Sequence, residues 1–338
     1  MFSSIALSIP VIQTKIANLV TSKINSQYGI DIQIEHIDLS VLGSVSLKNI
    51  QIKDHHQDTL IYIKSLKTSF ISFQKALNSK LLLDPVYLEG TYYYIKTYKG
   101  EKTDSFSIFY DSILQKNTSK KATSIPFILK TDAIHLSDFN IRISNKNLVK
   151  PVSFSATNTY GVLQNFDLSG PNVSANIRNL TFTDNRNIHI KNLSTDYAYS
   201  PTSMDFKNTL LVSENSFLKA EIRFQYEKKD LTNFNQKVFI SATFKESELS
   251  TIDLHHFYKE LQGNKTFDFS GNMSGTINAF RFQNLRLSNN ALRFFGDIKI
   301  SNTIEKEKEV VFESDIETLT ASYLALKELM PKLVNTYV

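Results

Sequence analysis

The sequence has no cysteine and no tryptophan, and only 10 glycines and 7 prolines among its 338 residues. The absence of cysteine excludes disulfide scaffolds, cysteine-ligated zinc, iron–sulfur centres and thiol nucleophiles. The low glycine and proline content argues against glycine-rich phosphate loops and proline-rich linkers. We therefore predict no cofactor.

The charge of the chain is mild, since 38 Lys and Arg stand against 33 Asp and Glu, a net charge of +5. Spread over this length and without a localised basic stripe, that excess does not predict nucleic acid as a partner. Hydrophobic residues make up 41% of the sequence, including 24 Phe and 15 Tyr. Branched and aromatic residues suit strands, while Asn and Ser suit turns, so the composition predicts a β-rich fold of about two domains, or one long β structure.

The amino terminus combines an uncharged run with a helical pattern. The first charged residue is Lys15, so the uncharged run is shorter than the about 20 residues that span a membrane. Two interpretations remain: the start of a buried helix, or the end of a membrane anchor. Apolar residues then recur at steps of three and four, which predicts a helix over 10–28 that ends before Gly29.

Beyond Gly29 the apolar period becomes two, with a repeated phase shift. Apolar steps of two, three and two residues occur at Val45, Leu47, Ile50, Ile52; at Ile134, Leu136, Phe139, Ile141; at Ala175, Ile177, Leu180, Phe182; and at Phe280, Phe282, Leu285, Leu287. The central pairs are polar: Lys48-Asn49, Ser137-Asp138, Arg178-Asn179 and Gln283-Asn284. A β-bulge adds one residue and returns the apolar set to the same face, so we predict a repeated bulged strand.

Other segments alternate cleanly between apolar and polar residues, as antiparallel strands with one apolar face do. They predict a lining of apolar side chains for a groove, formed by Val86, Leu88, Tyr92, Tyr94, Ile134, Leu136, Leu218, Ala220, Ile222, Phe224, Val238, Ile240 and Phe244. Short helices are predicted over about 73–80, 105–114, 249–261 and 316–329, the last ended by Pro331, and a mobile loop over 115–124.

Motifs for chemistry are scarce. The run Asp54-His55-His56 resembles the metal-binding triplet of a phosphoesterase family, but further Asp and His motifs are absent and a solvated turn between two strands is favoured. No nucleophile elbow, Walker loop, dinucleotide fingerprint or His-Glu-x-x-His helix occurs. We predict no catalytic residue, no metal site and no enzyme. A β-rich glycosidase with two carboxylates is the remaining enzymatic alternative, and no pair of carboxylates can be named for it.

Several further segments form a recognisable set: 8–14 (SIPVIQT), 28–32 (YGIDI), 43–50 (GSVSLKNI) and 54–63 (DHHQDTLIYI), with a later unit at 270–277 (SGNMSGTI) followed by Leu285-Arg286-Leu287. Together these segments resemble the amino-terminal part of TamB-like proteins, the translocation and assembly module subunit within the AsmA-like group. The resemblance implies a long, curled, taco-shaped antiparallel sheet with an apolar trough and a single amino-terminal anchor in the inner membrane. It also implies that the bulk of the chain lies in the periplasm. Family members are much longer, so a fragment is expected.

The resemblance implies that such a groove conducts phospholipid between inner and outer membranes, or assists outer-membrane protein assembly and secretion. The expected partners are phospholipid acyl chains, the inner membrane and an outer-membrane β-barrel of the assembly module. The predicted organisation is an amino-terminal helix (1–28), a first β region with short helices (29–124), a repeating β-groove (125–315) and a carboxy-terminal helix (316–338). The alternative is a surface or periplasmic β-sandwich or solenoid binding module with a closed core.

Overall fold

The computed structural model describes residues 22, 25, 31–40, 44–69, 80–116, 128–149, 151–257, 263–304, 309–324 and 327. The predicted helix over 10–28 lies outside these residues except for Ser22 and Asn25, whose backbone is helical. The predicted helix over 73–80 lies outside them except for Lys80, which belongs to a strand. Residues 117–124 of the predicted loop also lie outside them.

The fold is mainly β, and the chain divides into two compact units, residues 1–185 and 186–338. The strands of the first unit are β1 (Asp31–Leu39), β2 (Ser44–Lys53), β3 (Thr59–Ser69), β4 (Lys80–Leu83), β5 (Val86–Thr97), β6 (Ile128–Asn145), β7 (Val152–Ser169) and β8 (Asn172–Asp184). Those of the second unit are β9 (His189–Ser200), β10 (Ser203–Val212), β11 (Phe217–Gln225), β12 (Phe239–Ser250), β13 (Thr266–Gly275), β14 (Ala279–Ser288), β15 (Leu292–Ser301) and β16 (Val311–Ala321).

Helices are few and short among the described residues. They are α1 (Ser105–Lys116), a 3₁₀ turn (Lys228–Asn233), α2 (Phe234–Lys237) and α3 (Thr251–His255). The helix predicted over 105–114 is confirmed, and it extends through Gln115 and Lys116, the first two residues of the predicted loop. Of the helix predicted over 249–261, residues 251–255 form α3, while Leu249 and Ser250 still pair with β13. Residues 258–261 lie outside the described residues.

Strands that follow one another in sequence pair antiparallel in the second unit, from β9 through to β16. The first unit follows the order β1-β2-β3-β5-β6-β7-β8 and departs from the antiparallel prediction at β6, which pairs parallel with both β4 and β5. A parallel pair needs a crossover of a dozen or more residues, commonly with a helix. Residues 98–127, which include α1, form that crossover. The antiparallel prediction fails at β6 because the alternation of apolar residues is the same in parallel and antiparallel strands.

The predicted bulges coincide with residues of left-handed backbone. The second residue of each polar pair has a positive φ: Asn49 52°, Asp138 52°, Asn179 51° and Asn284 52°. At the last three, the strand register shifts by one residue, as a bulge requires. At Asn49 the register of β2 with β1 and β3 does not shift, so no extra residue is inserted there. Asn and Asp tolerate this conformation better than other non-glycine residues.

Further bulges occur in strands for which the sequence pattern predicts none. Asn208 in β10 and Glu246 in β12 have φ of 51° and 42°, and the register shifts at both. In β16 one residue is also extra, because Thr318 pairs with Phe295 while Ile316 pairs with Gly296. This bulge produces the three-residue step from Ile316 to Leu319. The helix predicted over 316–329 is therefore wrong as far as Ala321, since a bulged strand and a helix share that spacing. Beyond this strand, the described residues Tyr323, Leu324 and Lys327 have a helical backbone.

The left-handed residue of β14 gives a test of the bulge. Asn284 is exposed, and its N–H donates to Asp297 Oδ1 at 2.9 Å. Asn284→Val should lower the free energy of unfolding by about 1–2 kcal/mol, because a β-branched residue is strained in this conformation. Asn284→Gly should stay close to the wild type. Urea unfolding of the full chain measures both.

The matched control is Gln283→Val, the same side chain at the preceding exposed position of β14, which has no positive φ. This variant should change stability little, since β-branched residues suit extended strands. Equal destabilisation by Asn284→Val and Gln283→Val would contradict a conformational origin of the effect.

Candidate functional site

The residues predicted for the groove lie on β5, β6, β11 and β12, with Val238 directly before β12. The register sets Ala220 opposite Phe244 and Phe224 opposite Ile240. Ile222 lies between Ala220 and Phe224 on β11. Directly opposite residues of neighbouring strands project from the same face of a sheet. The register therefore brings the predicted residues of β11 and β12 together on one face, which we call the apolar face of the second unit.

Two rows of residues continue the apolar face across the second unit. The first row is Tyr197, Phe206, Ile222, Ala242, Met273, Phe282 and Ile298. The second row is Tyr199, Met204, Phe224, Ile240, Gly275, Phe280, Ile300 and Phe312. No charged side chain occurs in either row. The apolar face of this unit thus runs from β9 to β15 in one row and to β16 in the other.

Aromatic contacts hold neighbouring strands of this face together. The ring centroids of Phe206 and Phe224 are 5.7 Å apart, and those of Phe244 and Phe269 are 5.1 Å apart. Such separations are typical of favourable edge-to-face and tilted pairs. Burial raises the pKa of Tyr197 to about 12, because the phenolate would lie among apolar side chains. Tyr197 is half-buried at the β9 end of the apolar face, with its ring centroid 5.0 Å from that of Phe206.

The first unit has a comparable apolar face. One row consists of Leu47, Leu66, Leu88 and Leu136, and another of Val86, Ile134, Leu163 and Ile177. Both rows contain predicted groove residues. The structure therefore sets Val86, Leu88, Ile134 and Leu136 on one face, which we call the apolar face of the first unit.

Tyr92 and Tyr94 lie on the opposite face from Leu88, which differs from the prediction. Gly90 has a left-handed backbone (φ 61°), and this exchanges the two faces of β5 at that point. Beyond it, Thr91 and Tyr93 continue the apolar face, since they pair with Ile63 and Ile61 of β3. Tyr92 pairs instead with Tyr62 and Asn140. The alternation of β5 thus indicates the face only as far as Gly90.

The apolar faces are covered in part by the short helices. In the first unit the ring centroid of Phe106, on α1, lies 5.8 Å from that of Tyr93. In the second unit Phe234, on α2, lies 5.7 Å from Phe224. Most members of the rows, such as Ile222, Phe224 and Phe282, are half-buried, whereas Ile240 and Phe269 are 7% exposed.

Exposure increases sharply at β16. Its residues Phe312, Ile316 and Leu319 are 60%, 49% and 52% exposed. Among the described residues, β16 pairs on one side alone, with β15. The end of the apolar face is thus open to solvent along this strand.

The opposite faces carry exposed ion pairs that join neighbouring strands. The pairs include Lys64–Glu89 at 2.9 Å in the first unit, and Lys219–Glu246 at 2.7 Å and Lys299–Glu313 at 2.8 Å in the second. Exposed pairs of this kind contribute little to stability, about 0–1 kcal/mol each. Their value here is diagnostic, because they mark the face that lies in water.

The structure also locates the histidines. The segment Asp54–Asp58 forms the turn between β2 and β3, as predicted. His55 and His56 both contact Glu101, which follows β5 and is 45 residues away in sequence from His56. His36 is exposed and bonded to Asp38, and half-buried His135 stacks on Tyr87 at 4.6 Å. The turn was predictable from its residues, but the contact with Glu101 depends on the fold.

Comparison with known proteins gives no further assignment. No family model matches the sequence, and no curated protein or solved structure is significantly similar to the chain. Within the described residues, none of the helices has the length and apolar character needed to cross a bilayer. The resemblance to TamB-like proteins therefore stays a prediction.

Two buried threonines offer a test of the apolar face. Thr91 is 2% exposed, and its hydroxyl has no hydrogen-bond partner in the described part of the chain. Thr91→Val should raise the free energy of unfolding by about 1 kcal/mol, because it removes an unsatisfied buried hydroxyl. Chemical denaturation of the full chain measures the change.

Thr195→Val is the matched control, because Thr195 is 1% exposed but its hydroxyl bonds to the Lys207 carbonyl and the Thr209 hydroxyl, both at 2.9 Å. This variant should lose about 1 kcal/mol or more, since its partners are left unpaired. Destabilisation by both substitutions to the same extent would contradict the assignment of Thr91 as unsatisfied.

Proposed function

We propose that this chain is a TamB/AsmA-like envelope protein whose apolar faces line the trough of a curled sheet. In this proposal the trough conducts phospholipid between the inner and outer membranes, or assists the assembly and secretion of outer-membrane proteins. The amino-terminal segment anchors the chain in the inner membrane, and the bulk of the chain lies in the periplasm. The observation that carries the proposal is the set of uncharged, apolar and half-buried rows of the second unit.

The dimensions of the rows suit an acyl chain. Neighbouring strands lie about 4.8 Å apart, so the row that crosses eight strands of the second unit extends over about 34 Å. A bilayer core of about 30 Å holds two layers of lipid tails, so one tail is about 15 Å long. The row is therefore about twice as long as one lipid tail. A tail could bind at more than one position along the row, as a conducting surface requires.

The energetics also favour an acyl chain. Transfer of each methylene from water to an apolar surface gains about 0.8 kcal/mol, so about ten methylenes gain on the order of 8 kcal/mol before the costs of binding. No specific polar contact is needed for this gain. The absence of charge along the rows fits a ligand that slides, because nothing in them fixes one position.

The proposal predicts that a charge on the apolar face abolishes lipid binding. Phe224→Lys introduces an ammonium group into a row of apolar side chains, where no acyl chain can satisfy it. We expect phospholipid that copurifies with the wild type, prepared without detergent, to be reduced at least about tenfold in this variant. Native mass spectrometry and lipid extraction measure the bound phospholipid, and circular dichroism monitors folding.

The matched control is Gln225→Lys, the same change at the next residue of β11, which is exposed. It should leave bound phospholipid unchanged, because its side chain projects from the opposite face. A wild type that carries no phospholipid would contradict the proposal, as would equal lipid content in all three proteins. Unfolding by Phe224→Lys in a lipid-free protein would instead favour a binding module with a closed core.

A further inference from the structure

A cluster of potential metal-ligating side chains lies at one end of the first unit. The Nε2 atom of His55 is 3.0 Å from Glu101 Oε2, and that of His56 is 2.6 Å from Glu101 Oε1. The three potential ligand atoms all lie within 4.8 Å of one another. Two imidazoles thus converge on one carboxylate, from two segments that are distant in sequence.

The turn that carries the histidines is fixed by Asp54, which is 4% exposed. Its Oδ1 accepts hydrogen bonds from the N–H of His56 at 2.9 Å and of Asp58 at 3.0 Å. Its Oδ2 accepts a hydrogen bond from the Tyr98 hydroxyl at 2.7 Å. The His56 ring lies on the Tyr98 ring, with centroids 3.9 Å apart. Asp54 and Tyr98 therefore hold the two imidazoles in position.

Hydrogen bonds of its backbone hold Glu101 in position. Its N–H donates to the Tyr98 carbonyl at 3.0 Å, and its carbonyl accepts from Asn147 Nδ2 at 2.9 Å. Asn147 Oδ1 in turn accepts the N–H of Gly100 at 2.8 Å. The connection after β5 is thus attached to the turn between β6 and β7. These backbone contacts keep Glu101 opposite the histidines.

Charged groups of both signs surround the cluster. The hydrogen bond from His56 lowers the pKa of Glu101. Lys96 bonds to Asp58 at 2.9 Å, and Lys146 lies 4.3 Å from the centre of the Tyr98 ring. The Asp58 carboxylate is thus paired with Lys96, whereas the Glu101 carboxylate contacts the two histidines.

We propose that His55, His56 and Glu101 bind a divalent transition metal ion, with Zn²⁺ as the ion that this ligand set suits best. Two imidazole nitrogens and a carboxylate oxygen form a known type of three-ligand zinc site, which leaves a fourth position for water. With ligand distances of about 2.0–2.2 Å, tetrahedral ligand atoms lie about 3.4 Å apart. The present separations range from 2.6 Å to at most 4.8 Å, so the shortest would lengthen by about 0.8 Å and the longest would shorten by at most about 1.4 Å.

The ion would join the β2–β3 turn to the connection that follows β5. Because it binds the folded arrangement of two distant segments, it would stabilise the folded chain in proportion to its saturation. This role is separate from lipid binding by the second unit.

Calorimetric titration of the full, tag-free chain with ZnCl₂ tests the site. The wild type should bind one Zn²⁺, and the ion should raise the melting temperature. His55→Ala, His56→Ala and Glu101→Gln should each weaken binding at least about tenfold and abolish the rise in melting temperature. The three side chains are 28%, 45% and 30% exposed, so their loss should leave the fold intact.

The matched control is His36→Ala, since His36 forms an exposed pair with Asp38 at 2.9 Å but has no second histidine. It should bind Zn²⁺ as the wild type does. Absence of stoichiometric binding by the wild type overturns the proposal, as does unchanged binding in His56→Ala or an equal loss in His36→Ala. Phospholipid content, measured in the same proteins, should be unaffected by all of these changes, which keeps this outcome distinct from that of the lipid proposal.

Discussion

The constraint on which the fold depends is that each strand must keep its apolar side chains on one face of the sheet. Strict alternation would suffice in a regular strand, but several strands here contain a residue of left-handed backbone, such as Asn179 and Asn284. Each of these residues inserts one position and shifts the register. If the apolar spacing did not shift at the same point, half of the strand would project its apolar residues into water. The spacing of two, three and two residues is therefore a consequence of the left-handed residue, since β2 has the same spacing at Asn49 without a shift of register.

This constraint explains how far the fold could be predicted from the sequence. The bulges at Asp138, Asn179 and Asn284 were predictable because a polar pair interrupts the apolar period. At Gly90 the same exchange of faces occurs without that signal, because apolar and polar residues continue to alternate through Tyr92 and Tyr94. The parallel pairing of β5 with β6 could not be predicted either, since side chains alternate with the same period in parallel and antiparallel strands.

The polar end of the first unit shows a different limit. Asp54 and its neighbours could be recognised as a turn, because the residues that form the turn are local. The contacts of His55 and His56 with Glu101 depend on how β2, β3 and β5 pair, and this pairing brings together residues more than 40 positions apart. Spacing rules for metal ligands apply within one helix or turn. Nothing local to the histidines marks Glu101 as their partner.

The exposure along the second unit bears on what covers the apolar face. Phe294 and Ile298, on β15, are half-buried, whereas Phe312, Ile316 and Leu319, on β16, are 60%, 49% and 52% exposed. The two strands pair directly, so their side chains lie on the same face. A layer resting on that face would bury both strands to a similar degree. The steep difference is the result of lateral packing, in which strands on both sides shield a side chain, whereas β16 has a paired strand on one side alone among the described residues. Neighbouring strands, more than a covering layer, thus account for the partial burial of the apolar face of the second unit at β15.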